Sequence, residues 1–465
     1  MIKKSLVILS ISAFFFAEAQ DVSVIRNTVD VYSSPVLSGS AKYNSMAGSM
    51  GALGGDLSTV NTNPAGIGVN IASEISATIS INNSKNSSTL NGTSTDYSVN
   101  DTNLGNVGGV AVFQIDSSSP WKFVNVGVNF STASLEDYSE SRGNSSVGFD
   151  YPADNEVLNF AAHAYNRYGD LSKMSMAVGG NYDNRIYVGA GLHFHSVNLE
   201  QYDTAAFTST LDNNIYEANK QYTPFAESSN GFSANVGVIG RVNNQFRVGA
   251  ALETPTWWSI ARTYNEYENP TDGIYSEDRR LTSPMKATLS AAFVPNKNLA
   301  LNVDYTLGLS KPKYKEYNNG SAEQELNAFF ADNYSGLSEV KIGAEYRIQA
   351  FRLRGGYSFA ANPFDSMNLN SYGSSGAVSS TGYDNLFVGK RNIIGAGIGY
   401  DFKSFFIDAA YQNISAEYSS PFLQGSAQYN TGYFGDYHIV DSSASLVSDV
   451  KNTRDNFFIT LGWKF

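Results

Sequence analysis

The chain has 465 residues, a net charge of −12 and no cysteine, which excludes a disulfide framework and thiolate metal sites. The acidic total also argues against nucleic acid as a partner, because phosphate contacts need clustered Lys and Arg. Aromatics reach 13% and glycine fills 41 positions while charged residues stay at 16%, a balance that favours strands over helices.

Residues 1–19 read as a secretory signal peptide. Lys3 and Lys4 give the positive start, Ser5 to Phe16 the apolar stretch and Ala17-Glu18-Ala19 a small-x-small cleavage site. No later stretch offers the roughly 20 apolar residues that a membrane helix needs. Residues 20–69 follow with a different character. Ala41 to Gly66 is rich in Gly, Ala and Ser, which permit close backbone approach but build no core of their own, so this segment is assigned as a plug inside a barrel.

From residue 70 onward the chain alternates apolar and polar with period two, the mark of strands with two unlike faces. Strands are predicted near 70–82, 106–115, 121–132, 174–181, 185–199, 230–240, 245–256, 284–294, 298–309, 337–348, 351–360, 390–401, 404–415 and 455–465. Six connections are turn-like, among them Tyr182-Asp183-Asn184 and Pro295-Asn296-Lys297; seven are long (83–105, 133–173, 200–229, 257–283, 310–336, 361–389 and 416–454). Short and long alternate throughout, as in transmembrane barrels with tight periplasmic turns and larger outer loops. An even strand count would leave the mature N-terminus and the C-terminus both on the periplasmic side.

Charge placement orients the faces. Lys341, Glu345 and Arg347 share one face of their strand, as do Arg352 with Arg354, Arg247 with Glu253, and Asn302 with Asp304. A lipid-facing Arg or Lys near the bilayer midplane costs about 2–4 kcal/mol, so these faces must look into the lumen. Tyr305, Tyr346, Tyr357, Tyr400 and Tyr411 fall on the apolar faces near strand ends, as an interfacial girdle would. The fold class expected is all-β: a transmembrane antiparallel barrel of about 14 strands over residues 70–465, with an N-terminal plug, or hatch, in its lumen.

Several residues stand out as candidates. Trp257 and Trp258 open one long loop, and Phe329 and Phe330 sit in another, within a stretch (Ser321 to Asp332) suited to a short helix; all four are suited to capturing an apolar ligand, and equally to anchoring at the interface or packing within the loops. Arg352 and Arg354 could meet a carboxylate, as Arg does bidentately, or pair with Glu345, Asp408 and their neighbours. His193 and His195 share a face, but no carboxylate motif accompanies them, so neither a metal site nor a cofactor is assigned. No catalytic residue is assigned: G-x-S-x-G, H-E-x-x-H and P-loop patterns are missing, and the chain is not expected to be an enzyme. Acidic residues of the loops (Asp272, Glu277, Asp278, Asp436, Asp441) face the lipopolysaccharide layer, with divalent cations or water as their partners.

The run Ala47-Gly48-Ser49-Met50-Gly51-Ala52, then Asp56, then Asn63-Pro64-Ala65-Gly66 leading into the first strand, resembles the hatch of the FadL-type long-chain fatty acid transporters. That family includes channels for aromatic hydrocarbons, and its Bacteroidetes members are often labelled hemin receptors. The resemblance implies an outer-membrane, monomeric channel for passive uptake of hydrophobic compounds, with exit sideways into the bilayer after the hatch rearranges. The C-terminal strand with Phe457, Ile459, Leu461, Trp463 and Phe465 on one side resembles the signal read by the barrel-assembly machinery. Other readings remain: a FadL-like barrel that binds proteins as a type IX secretion shuttle, a hemin receptor, or a general porin.

Overall fold

A computed structural model of the chain describes residues 22–115, 118–143, 148–151, 156–265, 274–316, 320–372, 378–423, 433–434, 439–440 and 446–465. The expected signal peptide lies outside the described residues, as do Asp272, Asp436 and Asp441.

Fourteen antiparallel strands form the wall: β1 (Glu74–Leu90), β2 (Thr93–Gln114), β3 (Trp121–Ser134), β4 (Glu156–Tyr182), β5 (Ile186–Ser209), β6 (Phe225–Arg241), β7 (Phe246–Glu253), β8 (Lys286–Phe293), β9 (Leu299–Gly308), β10 (Ser338–Ile348), β11 (Phe351–Ala360), β12 (Arg391–Asp401), β13 (Phe405–Phe422) and β14 (Leu446–Lys464). Each pairs with its sequence neighbour, and β1 pairs β14 from Glu74↔Lys464 to Thr89↔Asp449, closing the barrel. Closure leaves no sheet edge at membrane height.

The faces are inverted relative to a soluble protein, as the charge placement predicts. On β5, Ile186, Val188, Leu192 and Phe194 are exposed whereas Tyr187, His193 and His195 are buried. On β9, Leu301, Val303 and Tyr305 point outward while Asn302 and Asp304 are buried in the lumen. Phe457, Ile459, Leu461, Trp463 and Phe465 all lie exposed on one face of β14. An exterior of Ile, Val, Leu and Phe around a polar interior is stable only in lipid. No helix of the described residues is long and apolar enough to cross a membrane. Rings Phe351, Tyr400, Phe402 and Phe405 stack in series at the short-turn rim.

Four of the long connections are largely strand over their described residues. The stretch 83–105 is a continuous hairpin turning at Asn91-Gly92, both with positive φ (48° and 82°), which suits a two-residue hairpin turn. Likewise β4 and β5 pair from Tyr182↔Ile186 to Leu158↔Ser209, and β13 pairs β14 as far as Phe422↔Leu446. Above the membrane both faces of a strand are wetted or covered by polar neighbours, so the apolar alternation that marks a spanning strand disappears. Trp257 and Trp258 also sit on a strand, Trp257–Asn265, paired with Ile274–Thr282. The helix expected at Ser321 to Asp332 is present as Gly320–Asn333.

The hatch fills the lumen with two short helices, α1 (Val22–Asp30) and α2 (Ala41–Ser45), and two 3-10 turns, Leu57–Asn61 and Pro64–Val69. Ser40 caps α2, its Oγ accepting from Tyr43 N at 3.1 Å, and Asp56 caps the next turn through Ser58 N at 2.8 Å. The parity argument fails for the N-terminus in one respect. Phe465 N–H donates to Ser73 O at 3.0 Å, so β1 begins and β14 ends on the short-turn rim. The described chain starts at the opposite end, where α1 packs among the outer strand extensions, because strand parity fixes only where β1 begins and the preceding residues run the length of the lumen.

Candidate functional site

The Asn63-Pro64-Ala65-Gly66 motif is a staple. Asn63 Oδ1 accepts from Ala65 N at 3.1 Å and so starts the 3-10 turn, while its Nδ2 donates to Gly51 O at 2.8 Å and to Val238 O of β6 at 3.2 Å. One amide thereby holds the hatch to itself and to the wall. Pro64 fits the first helical position, which needs no N–H. Ala65 is fully buried against Tyr187 and Ile239.

The wall receives the hatch on two rows of glycine. Gly179, Gly189 and Gly237 pair side by side across β4, β5 and β6, and a Cβ on them would meet Gly68 N at 2.7 Å, Pro64 C at 2.4 Å and Asn63 Oδ1 at 2.0 Å. Gly343, Gly356 and Gly395 pair across β10, β11 and β12, where a Cβ on Gly356 would lie 2.2 Å from Met46 C and one on Gly395 2.5 Å from Ser45 O. Between the rows, Asp304 accepts from Gly51 N at 3.1 Å, Asn302 Oδ1 from Ala52 N at 3.2 Å, and Arg247 donates to Leu53 O at 3.0 Å. Buried hatch amides thus find partners on the wall, as buried donors must.

At the outer end α1 is locked by charge. Arg26 is hydrogen-bonded and ion-paired to Asp137, with both side chains almost wholly buried, and Arg167 stands 3.7 Å from the same carboxylate. Burial alone would favour the neutral forms, but Arg26, Arg167 and Arg454 hold the Asp137 carboxyl below its usual range, and Asp137 in turn keeps Arg26 charged. Removing one partner of a buried pair costs about 3–5 kcal/mol. Asp137→Ala is therefore expected to undock α1, read as faster hydrogen exchange over residues 22–34 with the barrel still closed; unchanged exchange there would show that the pair does not hold the helix. The sign of the pH dependence follows. Because the folded pKa is depressed, the contribution is present above the unfolded carboxylate value of about 3.9 and is lost as pH falls through the lower folded value.

The six expected capture residues part ways. Trp258 (3% exposed), Phe329 and Phe330 share one apolar cluster with Val29, Tyr32, Tyr314, Phe364 and Phe387, which roofs the lumen. The Trp258 Nε1 donates to Tyr32 O at 3.2 Å and the two rings meet edge-on at 5.0 Å. Trp257 instead points out of the barrel, half exposed, stacked on Phe232. Arg352 and Arg354 lie at the other rim: Arg354 donates to Glu345 at 2.6 Å and Asp408 at 2.7 Å, and Arg352 faces Asp401 at 3.5 Å, so both are engaged by carboxylates. His193 and His195 bond Ser175 and Ser233 at 2.8 and 3.0 Å, and no group of metal ligands forms among the described residues.

Beneath the roof lies a cavity of about 270 Å³. Val29, Tyr32, Leu37 and Trp258 line one side, and Lys173, His195, Glu253 and Lys286 line another. Most luminal cations are paired: Lys341 sits 3.1 Å from Glu339, and Arg391 donates to Ser34 O at 2.9 Å. Lys173 differs. It is 3% exposed and makes neither a hydrogen bond nor an ion pair with any described residue, although Glu253 acts on it at longer range. The sequence reading missed Lys173, both glycine rows and α1, since only the register brings their members together. A second cavity of about 300 Å³ opens beside Leu37 and Ser38, where the β2–β3 ladder stops at Asn106↔Ser131. Hatch residue Ser38 takes up the free carbonyl there, donating to Thr132 O at 2.9 Å.

No family model matches the chain, and no curated protein matches its sequence. Solved structures do match its fold. A FadL homologue of Pseudomonas aeruginosa aligns over 93% of this chain and 99% of its own, with a TM-score of 0.59 at 13% identity. The barrel is of the FadL type. Two toluene transporters share this FadL-type fold: TbuX of Ralstonia pickettii (92% and 98% covered, TM-score 0.52, 14% identity) and TodX of Pseudomonas putida (94% and 100%, 0.53, 12%). At these identities the FadL-type likeness concerns architecture alone.

Proposed function

We propose that the protein is an outer-membrane channel for passive uptake of hydrophobic compounds, among them amphiphiles with an anionic head such as long-chain fatty acids. The observation that carries this reading is the luminal cavity, roofed by apolar residues and lined by the buried Lys173, which makes no hydrogen bond or ion pair with any described residue. An apolar tail against Trp258, Tyr32 and Val29 gains about 25 cal/mol per Å² removed from water. A carboxylate against Lys173 supplies an anion in direct contact, where Glu253 acts only at longer range. The fold shared with FadL-type and toluene-transporting barrels supports the apolar part of this reading. No cofactor and no catalytic step enter the proposal. The hatch is the moving part, and the gap at Ser38 offers a way sideways.

The test is oleate and toluene binding by purified protein, with uptake by cells lacking and regaining the gene. Saturable binding and restored uptake are the expected result; neither binding nor an uptake defect for either compound would refute the proposal. Trp258→Ala is expected to weaken both ligands about tenfold, in line with the ~1–3 kcal/mol that one well-packed aromatic supplies in a binding pocket. Equal affinities in the variant would remove Trp258 from the site.

A further inference from the structure

Strand β2 has two halves with different surroundings. From Asn106 to Val110 it is paired on both sides, with β1 and with β3, and from Ala111 to Gln114 with β3 alone. From residue 104 outward to residue 93 it is paired with β1 alone: no described strand is hydrogen-bonded to its other side, although Thr132 Oγ1 donates to Leu104 O at 3.0 Å at the inner end and the Tyr97 ring packs on Tyr138 at 4.0 Å. The segment is regular rather than frayed: its register with β1 runs without a break from Leu90↔Thr93 to Ile79↔Leu104, and its residues are exposed or half-buried throughout. At about 3.3 Å per residue this is an open edge of roughly 40 Å. About half of its backbone N–H and C=O groups must point away from β1, because successive residues of an antiparallel strand alternate between paired and unpaired sides.

Edges of this kind are ordinarily blunted by proline, by lysine, by a bulge or by covering chain. This one has no proline or lysine, and its one irregularity, at Gly105, lies at its inner end. What it does carry is negative charge. Asp96 and Asp101 are exposed on the edge, and Glu136 and Asp170 line the cavity at its inner end together with Asp101. The cations nearby are engaged. Lys85 on β1 faces Asp96 at 3.6 Å, and Arg454 donates to Ser134 O and Glu136 O at 2.9 and 2.7 Å. Between the charges, Thr95, Val99 and Thr102 are strand-forming side chains suited to cross-strand pairing, while Tyr97 already packs on Tyr138.

We propose that residues 93–104 form a docking edge on the cell surface for an extended, lysine- or arginine-bearing polypeptide segment, which adds to β2 as a further strand. Main-chain hydrogen bonds would supply the attachment and the aspartates the preference for basic sequence. A second copy of this chain fits less well. Antiparallel pairing of two such edges in full overlap sets Asp96 opposite Asp101 twice, and like charges directly opposite are destabilising. The inference does not rest on solute uptake, which uses the lumen.

The experiment uses the full-length protein in nanodiscs and an octapeptide alternating lysine with threonine and valine. Its glutamate counterpart and two versions N-methylated at alternate backbone nitrogens serve as comparisons. The expected result is saturable binding of the basic peptide, slowed hydrogen exchange within residues 93–104, and loss of at least about tenfold in affinity with Asp96→Lys plus Asp101→Lys. One of the two N-methylated versions should also fail, because it blocks the docking side of the ladder. The far-UV circular dichroism of the double variant serves as the check that the barrel is intact. The proposal is overturned by no binding, by equal binding of the acidic peptide, or by binding that leaves exchange over 93–104 unchanged. Concentration-dependent protection of 93–104 in the protein alone would overturn it in favour of self-association.

Discussion

Gly356→Leu is expected to unseat the hatch and turn a plugged barrel into a conducting one. The Cβ alone would stand 2.2 Å from the carbonyl carbon of Met46, and that neighbour is backbone, which cannot swing aside. Met46 is itself fully buried, so the displaced turn has no free space to enter. Overpacking of this kind costs about 1–3 kcal/mol even where side chains yield. Each 1.4 kcal/mol shifts the seated-to-unseated ratio about tenfold. The ladder of β11 with β10 and β12 uses main-chain groups and should survive. Conductance in planar bilayers measures the outcome, with hydrogen exchange over residues 41–54 as a second readout. Gly355→Ala is the control, since that position points to the other face and a Cβ there would meet nothing nearer than Gly395 O at 3.8 Å. If Gly356→Leu leaves both readouts unchanged, the glycine row is not the hatch's seat.

Lys173→Met is expected to separate anionic from neutral ligands. A hydrogen bond to a charged group is worth about 1.5–3 kcal/mol, so oleate affinity should fall about ten- to a hundredfold while toluene affinity holds. Methionine keeps most of the side-chain volume and removes an ammonium that lacks a described partner, so the fold should not suffer. Equal weakening of both ligands would mean that Lys173 shapes the cavity rather than meeting a head group. No change for oleate would place the carboxylate elsewhere, or outside the lumen altogether.

The candidate site was only partly legible in the residues. Asn63, Pro64, Ala65 and Gly66 could be recognised because a cap, a helix-starting proline and small neighbours are contiguous, and the structure makes them the staple between hatch and wall. Trp258, Phe329 and Phe330 could be picked out as large apolar groups among polar loops, but not that they would meet, since they come from separate connections. Trp257 is adjacent in sequence and opposite in direction, the ordinary consequence of a strand's alternation once the segment is known to be a strand. Arg352 and Arg354 were correctly set in the lumen, yet their height in it depends on strand direction, which puts them far from the roof and beside Glu345, Asp401 and Asp408.

The amino-acid sequence by itself determined the number of spanning strands, which face of each meets lipid, the alternation of tight and long connections, and the presence of a small-residue plug. These are legible because the bilayer acts on every spanning residue separately: a charge on the wrong face is costly whatever its neighbours are. Only the tertiary structure decided that four outer connections continue as strands, because above the membrane that penalty vanishes and polar runs such as residues 93–103 carry no periodic mark. It also decided that Gly343, Gly356 and Gly395 form one seat, that Arg26 meets Asp137 across 111 positions, and that Lys173 makes no hydrogen bond or ion pair with any described residue. Each of these depends on register between strands distant in sequence, and register is a property of the closed barrel rather than of any one segment.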